Sequence, residues 1–137
     1  MTVKQWLRQA RGINREINVL LEARQQEYQR ILSVTAKLVD TPIHGTKDPH
    51  KFDRLLELDE VINSKIDELS RVQAEIIAGI YALKDGRYRT VLLDYYVNMK
   101  TFAKIAEDMG ISERHVTRLH GHALIALGGI YGKNYQG

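Results

Sequence analysis

Apolar residues return along this chain at helical intervals, in stretches separated by short polar or glycine- and proline-bearing breaks. Between Thr2 and about Val39 there is no proline, and the only glycine is Gly12. Ile13, Ile17, Leu20, Leu21, Tyr28, Ile31, Leu32 and Leu38 supply an apolar stripe, interrupted by Arg24 and Gln25. Arg8, Arg11, Arg15, Glu22 and Glu27 fall on other faces. Thr2 and Gln5 stand at the spacing of a capping box, so the helix begins almost at the first residue. A helix of roughly 35 residues is about 50 Å long. It is stable only with its stripe buried against another helix.

The partner comes next. Residues 40–50, DTPIHGTKDPH, have the composition of a connecting loop, and Asp48-Pro49 suits an N-cap followed by a first helical position. Phe52, Leu55, Leu58, Ile62, Ile66, Leu69, Ile76, Ile80 and Leu83 then predict a second long helix, with coiled-coil-like spacing, to about Lys84. Gln73 breaks its seam, and Gly79 weakens it by about 1 kcal/mol relative to alanine. The expected arrangement over residues 1–84 is an antiparallel helical hairpin for oligomerisation or partner binding. Pairing of the same helices between chains is the alternative.

Asp85-Gly86 is the next break, and the run YRTVLLDYYVN from Tyr88 predicts a third helix packing through Val91, Leu92, Tyr95 and Tyr96. Its aromatic residues have the spacing of core, not of a base-stacking platform. Thr101 to Leu127, TFAKIAEDMGISERHVTRLHGHALIAL, reads as two short amphipathic helices around a tight turn. Ile105, Ala106 and Met109 face inward on the first; Gly110 turns the chain and Ile111 closes the turn. Ser112 caps a second helix rooted by Val116, Leu119, Ala123 and Leu127. A small residue four before the glycine, with apolar residues six and nine beyond it, is helix-turn-helix spacing. Gly128-Gly129 should end that helix. The fold class is all-α: a hairpin over 1–84, a three-helix helix-turn-helix domain over 85–130, and a mobile tail over 131–137.

Charge sharpens this picture. The net charge is +3, from 20 Lys/Arg and 17 Asp/Glu. Residues 1–40 and 84–137 each carry a surplus of three positive charges, and residues 41–83 a surplus of three negative ones. The two hairpin helices are thus complementary, while the remaining surplus sits with the helix-turn-helix. There is no cysteine, so disulfides, thiolate zinc sites and cysteine nucleophiles are excluded. No run has the length of a membrane span or the pattern of a signal peptide, so a cytoplasmic protein with no membrane association is expected.

The helix-turn-helix pattern leaves Ser112, Glu113, Arg114, His115, Thr117 and Arg118 pointing outward on the first turns of the helix that would enter a major groove. Glu113, Arg114, His115, Thr117 and Arg118 are the candidate base readers, because arginine offers paired donors to guanine O6 and N7. Lys100, Thr101, Lys104 and Ser112, with Arg87 and Arg89 on the preceding helix, are the candidate backbone contacts. Double-stranded DNA is the implied partner. His115, His120 and His122 lack zinc-site spacing, so no metal is expected. His44 and His50 read as solvated loop residues. No nucleophile–base set, phosphate cradle or carboxylate pair points to catalysis or to a cofactor.

The run RYRTVLLDYYVNMKTFAKIAEDMGISERHVTRLHGHAL resembles region four of bacterial sigma factors, with a bracing helix, an IAEDMGIS-type turn and a closing run of Arg118, Leu119, His120, Ala123 and Leu124. The whole chain, with its long helical hairpin ahead of that unit, is similar to small phage- and prophage-encoded proteins of Gram-positive bacteria, including activators of the ArpU and RinA kind. The resemblance implies a region-four-like DNA reader, so a sequence-specific DNA-binding regulator of transcription is expected, whose hairpin would form a homodimer or hold a partner such as RNA polymerase. It does not imply a free-standing sigma factor, because the hairpin leaves no room for a promoter-melting segment. Two other readings remain: a small terminase subunit, which joins a helix-turn-helix to an oligomerising segment, and an adaptor that holds polymerase or a sigma or anti-sigma partner without DNA.

Overall fold

The computed structural model describes residues 1–39 and 49–131. The expected loop with Asp48 and His44, the side chain of Leu38 and residues 132–137 of the expected tail lie outside the described residues. Among the described residues all regular structure is helical: α1 (Val3–Val39), α2 (Asp53–Ile80), α3 (Gly86–Tyr96), α4 (Phe102–Met109) and α5 (Glu113–Tyr131). The chain divides into two compact units, one of Met1–Ile13 with Leu69–Gly137, the other of Asn14–Glu68. The first unit joins the N-terminal end of α1 and the C-terminal end of α2 to the C-terminal helices in one core.

In the first unit, α1 begins as its sequence requires. Thr2 N–H donates to Gln5 Oε1 at 2.8 Å, and Gln5 N–H donates back to Thr2 Oγ1 at 3.1 Å. Val3, Trp6, Leu7 and Ala10 of α1 then meet Ile76, Ile80 and Leu83, Leu92 and Tyr96 of α3, and Ala123 and Leu127 of α5 in one cluster. Burying each large aliphatic side chain contributes about 1.5–3 kcal/mol, more than an exposed ion pair. The helix seam broken by Gln73 has a use for that residue, whose amide donates to the Val97 carbonyl at 3.3 Å. Gly79 has one as well. A methyl group there would run into the Trp6 ring and stand 3.0 Å from the Tyr131 hydroxyl.

Two expected helix ends move. α2 stops at Ile80, and the Lys84 end is a turn in which Leu83 N–H donates to the Ile80 carbonyl at 3.0 Å. At the other extreme, α5 runs through Gly128-Gly129 to Tyr131, so the glycines do not end it and the expected tail does not start there. The reason is tertiary. The Tyr131 ring lies 5.8 Å from that of Trp6, and its hydroxyl donates to the Gly79 carbonyl at 3.1 Å.

In the second unit the two long helices run antiparallel, since partners ascend on α1 as they descend on α2. Glu16 pairs with Lys65 at 2.9 Å, Arg24 with Asp59 at 2.5 Å, Glu27 with Arg54 at 4.0 Å, and Thr35 with Lys51. α2 starts at Asp53 and not at Pro49, because residues 49–52 form a turn in which Asp53 N–H donates to the His50 carbonyl at 3.1 Å. His50 Nδ1 also lies 2.7 Å from Asp53 Oδ2.

The stripe of α1 is narrower than its spelling. The line toward α2 passes through Ile17, Leu20, Arg24, Glu27 and Ile31, so two charged residues stand in the seam. Glu27, expected on an outer face, is buried, and its carboxylate accepts from Arg30 at 2.6 Å, which holds it below the usual carboxylate range. Leu21, Tyr28 and Leu32 lie about 100° around the helix from that line and are exposed, as are Phe52 in the turn before α2 and Ile66 on α2.

Candidate nucleic-acid interface

Each short helix of the C-terminal part starts on a side chain placed for it. Asp85, with an extended backbone, accepts from Arg87 N–H at 2.9 Å and starts α3; Thr101 accepts from Lys104 N–H at 3.2 Å and starts α4. α4 ends on Gly110, whose φ of 68° lies in the left-handed region. Around it, Gly110 N–H donates to the Glu107 carbonyl at 3.3 Å and Ile111 N–H to the Ala106 carbonyl at 3.0 Å. Ser112 Oγ then accepts from His115 N–H at 3.0 Å, while its carbonyl accepts from Val116 N–H at 3.1 Å. The turn is thereby fixed at both shoulders.

Behind the turn, Val91, Ile105, Ala106, Val116 and Leu119 form a buried cluster, with Tyr88, Tyr95, Phe102, Met109 and Ile111 packed on it. The small side chain of Ala106 lets α4 and α5 close on each other. Val116 and Leu119 root α5 from the inside, so its opposite face is outside. Glu113, Arg114, Thr117 and Arg118 are exposed there, and His115 is half-buried. Arg114 and Arg118 make no hydrogen bond or ion pair with any described residue. The Thr117 hydroxyl donates to the Glu113 carbonyl at 3.1 Å.

The other candidate cations are engaged. Lys100 sits 3.3 Å from Asp94 and 2.9 Å from Asp108; Lys104 lies 3.2 Å from Asp108 and 3.8 Å from Glu107. Hydrogen bonding to Asp108 raises the Lys100 pKa, and Lys100 and then Lys104 pull that of Asp108 down. Arg87 faces Asp85 at 3.4 Å. Arg89 donates to the Leu83 and Lys84 carbonyls at 2.7 and 3.0 Å, closing the chain after α2. Of the candidate cations, those without a partner among the described residues are therefore Arg114 and Arg118, both on α5. Thr101 and Ser112 spend their hydroxyls as caps, which leaves the N-terminal backbone of α4 and α5 for anions.

Some contributors have no signal in the sequence. Arg11, on a face that reads as polar, donates to the Tyr95 carbonyl at 2.6 Å and lies 4.1 Å from the centre of the Tyr95 ring. Met99 takes a left-handed φ of 59° between α3 and α4. His120 is buried with its Nε2 2.8 Å from the Tyr96 hydroxyl. Burial, with Lys4 and Arg8 nearby, pushes its pKa down to about 4, and burial raises that of Tyr96 to about 12. His120 is thus a neutral core residue. Among the described residues no group of three or more His, Asp or Glu is placed to hold a metal.

Residues 85–127 match the family described as Sigma-70, region 4. The matched segment runs from the cap of α3 into the last turns of α5, and residues 1–84 lie outside it. No curated protein and no solved structure matches the chain. The match thus falls on the helix-turn-helix α3–α5, which is region-4-like in sequence and in the order of its helices. No helix among the described residues is long and apolar enough to cross a membrane.

Proposed function

We propose that this chain is a sequence-specific DNA-binding regulator of transcription, of the kind phages and prophages encode, which lays α5 in the major groove. One observation carries the reading: Arg114 and Arg118, a helical turn apart, are exposed and without a partner among the described residues, while Val116 and Leu119 on the reverse side are buried. Arg114 and His115 read base edges, Glu113 and Thr117 bias the choice, and Arg118 serves a base or a phosphate. Lys100, Thr101, Lys104, Ser112, Arg87 and Arg89 position the backbone, the last through its hold on the α2–α3 connection. Action beside host RNA polymerase, and binding as a dimer to paired half-sites, extend the region-4 likeness. Selection of bound duplexes from a random pool tests this reading. It should return a recurrent motif; a pool that stays random would refute it.

A further inference from the structure

The Asn14–Glu68 unit keeps more large apolar side chains outside than inside. Among its described residues the buried apolar side chains are Ile17, Ile31 and Ile62, whereas Leu21, Tyr28, Leu32, Phe52, Leu56 and Ile66 are each 43–57% exposed. These six are not scattered. Leu21, Tyr28 and Leu32 follow one line along α1 at steps of seven and four; Leu56, Asp59, Asn63 and Ile66 follow one along α2 at steps of three and four, with Phe52 in the turn just ahead of it. Arg24, between Leu21 and Tyr28, reaches Asp59, between Leu56 and Ile66, at 2.5 Å. That pair ties the two lines into a single flank of the hairpin.

We infer that this flank is a homodimer interface, on which a second copy sets the same two lines to form a four-helix bundle about a two-fold axis. The charge pattern selects a second copy over a charged partner. Between Asn18 and Leu32 and between Phe52 and Ile66, the other positions on the two lines are Asn18, Gln25 and Asn63, and Arg24 and Asp59 neutralise each other. The centre of such a surface meets its own image without opposing like charges, as the charge-poor centre of an interface must, and exposed Glu22 and Glu60 border it as a rim. Area agrees. Half-exposed, six side chains of roughly 200 Å² leave about 600 Å² per copy. Two copies bury about 1,200 Å², the lower edge of specific interfaces. A bundle also supplies the layer that a two-helix hairpin with three buried apolar side chains lacks.

The inference gives an interface to the dimer of the proposed function and rests on that part of it; its test contains no DNA, so its failure is distinguishable from failure of the DNA-binding reading. The mass of the full chain in solution, followed by light scattering and sedimentation over a dilution series, should be twice the 15.7 kDa of one copy. Leu56→Glu should lower it to one copy at concentrations where the parent is dimeric. Val61→Glu should leave it unchanged, since Val61 lines the opposite flank with Val19 and Leu20. Should Leu56→Glu lose its helical circular dichroism, Leu56→Ala replaces it, and a dissociation constant raised about tenfold with helicity kept is the expected result. A parent that stays monomeric, a ring of higher order, or a dimer whose dissociation constant ignores position 56 would each overturn the inference.

Discussion

The Tyr96 hydroxyl and His120 Nε2 lie 2.8 Å apart in the core, joining α3 to α5 behind the reading face. A neutral ring can take either role in that bond, as acceptor with its proton on Nδ1 or as donor with it on Nε2; protonation leaves Nε2 only the donor role and buries a charge. An unfolded chain releases the imidazole proton near pH 6.5, the folded one near pH 4. Above pH 6.5 both states are neutral and the contribution to stability is whole. On acidification from 6.5 to about 4 the unfolded state takes up a proton that the folded state refuses, so roughly 3 kcal/mol of stability is lost across that window. Urea unfolding at pH 7.5 and 4.5 measures this, and His120→Gln should flatten the interval. Glu27, Asp85 and Asp108, whose pKa values are lowered from 4.5, 3.8 and 3.8, lose their contributions as the pH falls through and below those values, so Glu27 overlaps only the acidic end of the window.

Gly79 supplies a second expectation, opposite in sign to helix propensity. On propensity alone, Gly79→Ala would stabilise α2 by about 1 kcal/mol. Here the added methyl meets the Trp6 ring, and Tyr131 is anchored on the carbonyl of the same residue. Gly79→Ala should therefore destabilise by about 1–3 kcal/mol, seen as a lower urea midpoint with an unchanged slope.

The contrast shows what was legible in the sequence. Periodicity, caps and the turn glycine are local, so the helices, the capping residues Thr2, Thr101 and Ser112, and the Ala106–Gly110–Val116–Leu119 arrangement were all readable. Long-range contacts override local rules, and those were not. Gly128-Gly129 spells a helix end until Tyr131 docks on Trp6. Glu27 looks like a surface residue until Arg30 satisfies it inside the seam. In the candidate interface, residue types marked Arg114 as a base reader and Lys100 as a backbone contact, and only coordinates distinguish a cation held by Asp94 and Asp108 from one without a partner among the described residues.

That distinction is measurable. A lysine that must leave two carboxylates to meet a phosphate gains little by doing so. Lys100→Ala should weaken duplex binding by no more than about threefold at physiological salt, whereas Arg118→Ala should weaken it by about tenfold or more. Titrations at several salt concentrations would also show a smaller salt slope for the Arg118 variant, if that side chain holds a phosphate.

Gly110 tests the turn itself. Space is not the issue there, since nothing lies within 4 Å of an added Cβ, but its φ of 68° is costly for any other residue. Gly110→Ala should cost about 1–2 kcal/mol, and Gly110→Asn less. Thermal unfolding of the pair separates backbone strain from crowding.

The most direct trial of the central claim is the affinity of Arg114→Ala for a selected duplex against its affinity for a scrambled one, by fluorescence anisotropy at fixed salt. Loss of a base contact predicts a fall of about 5- to 150-fold on the selected duplex, with the scrambled one nearly unchanged. An equal fall on both, or none on either, would contradict a recognition role for α5.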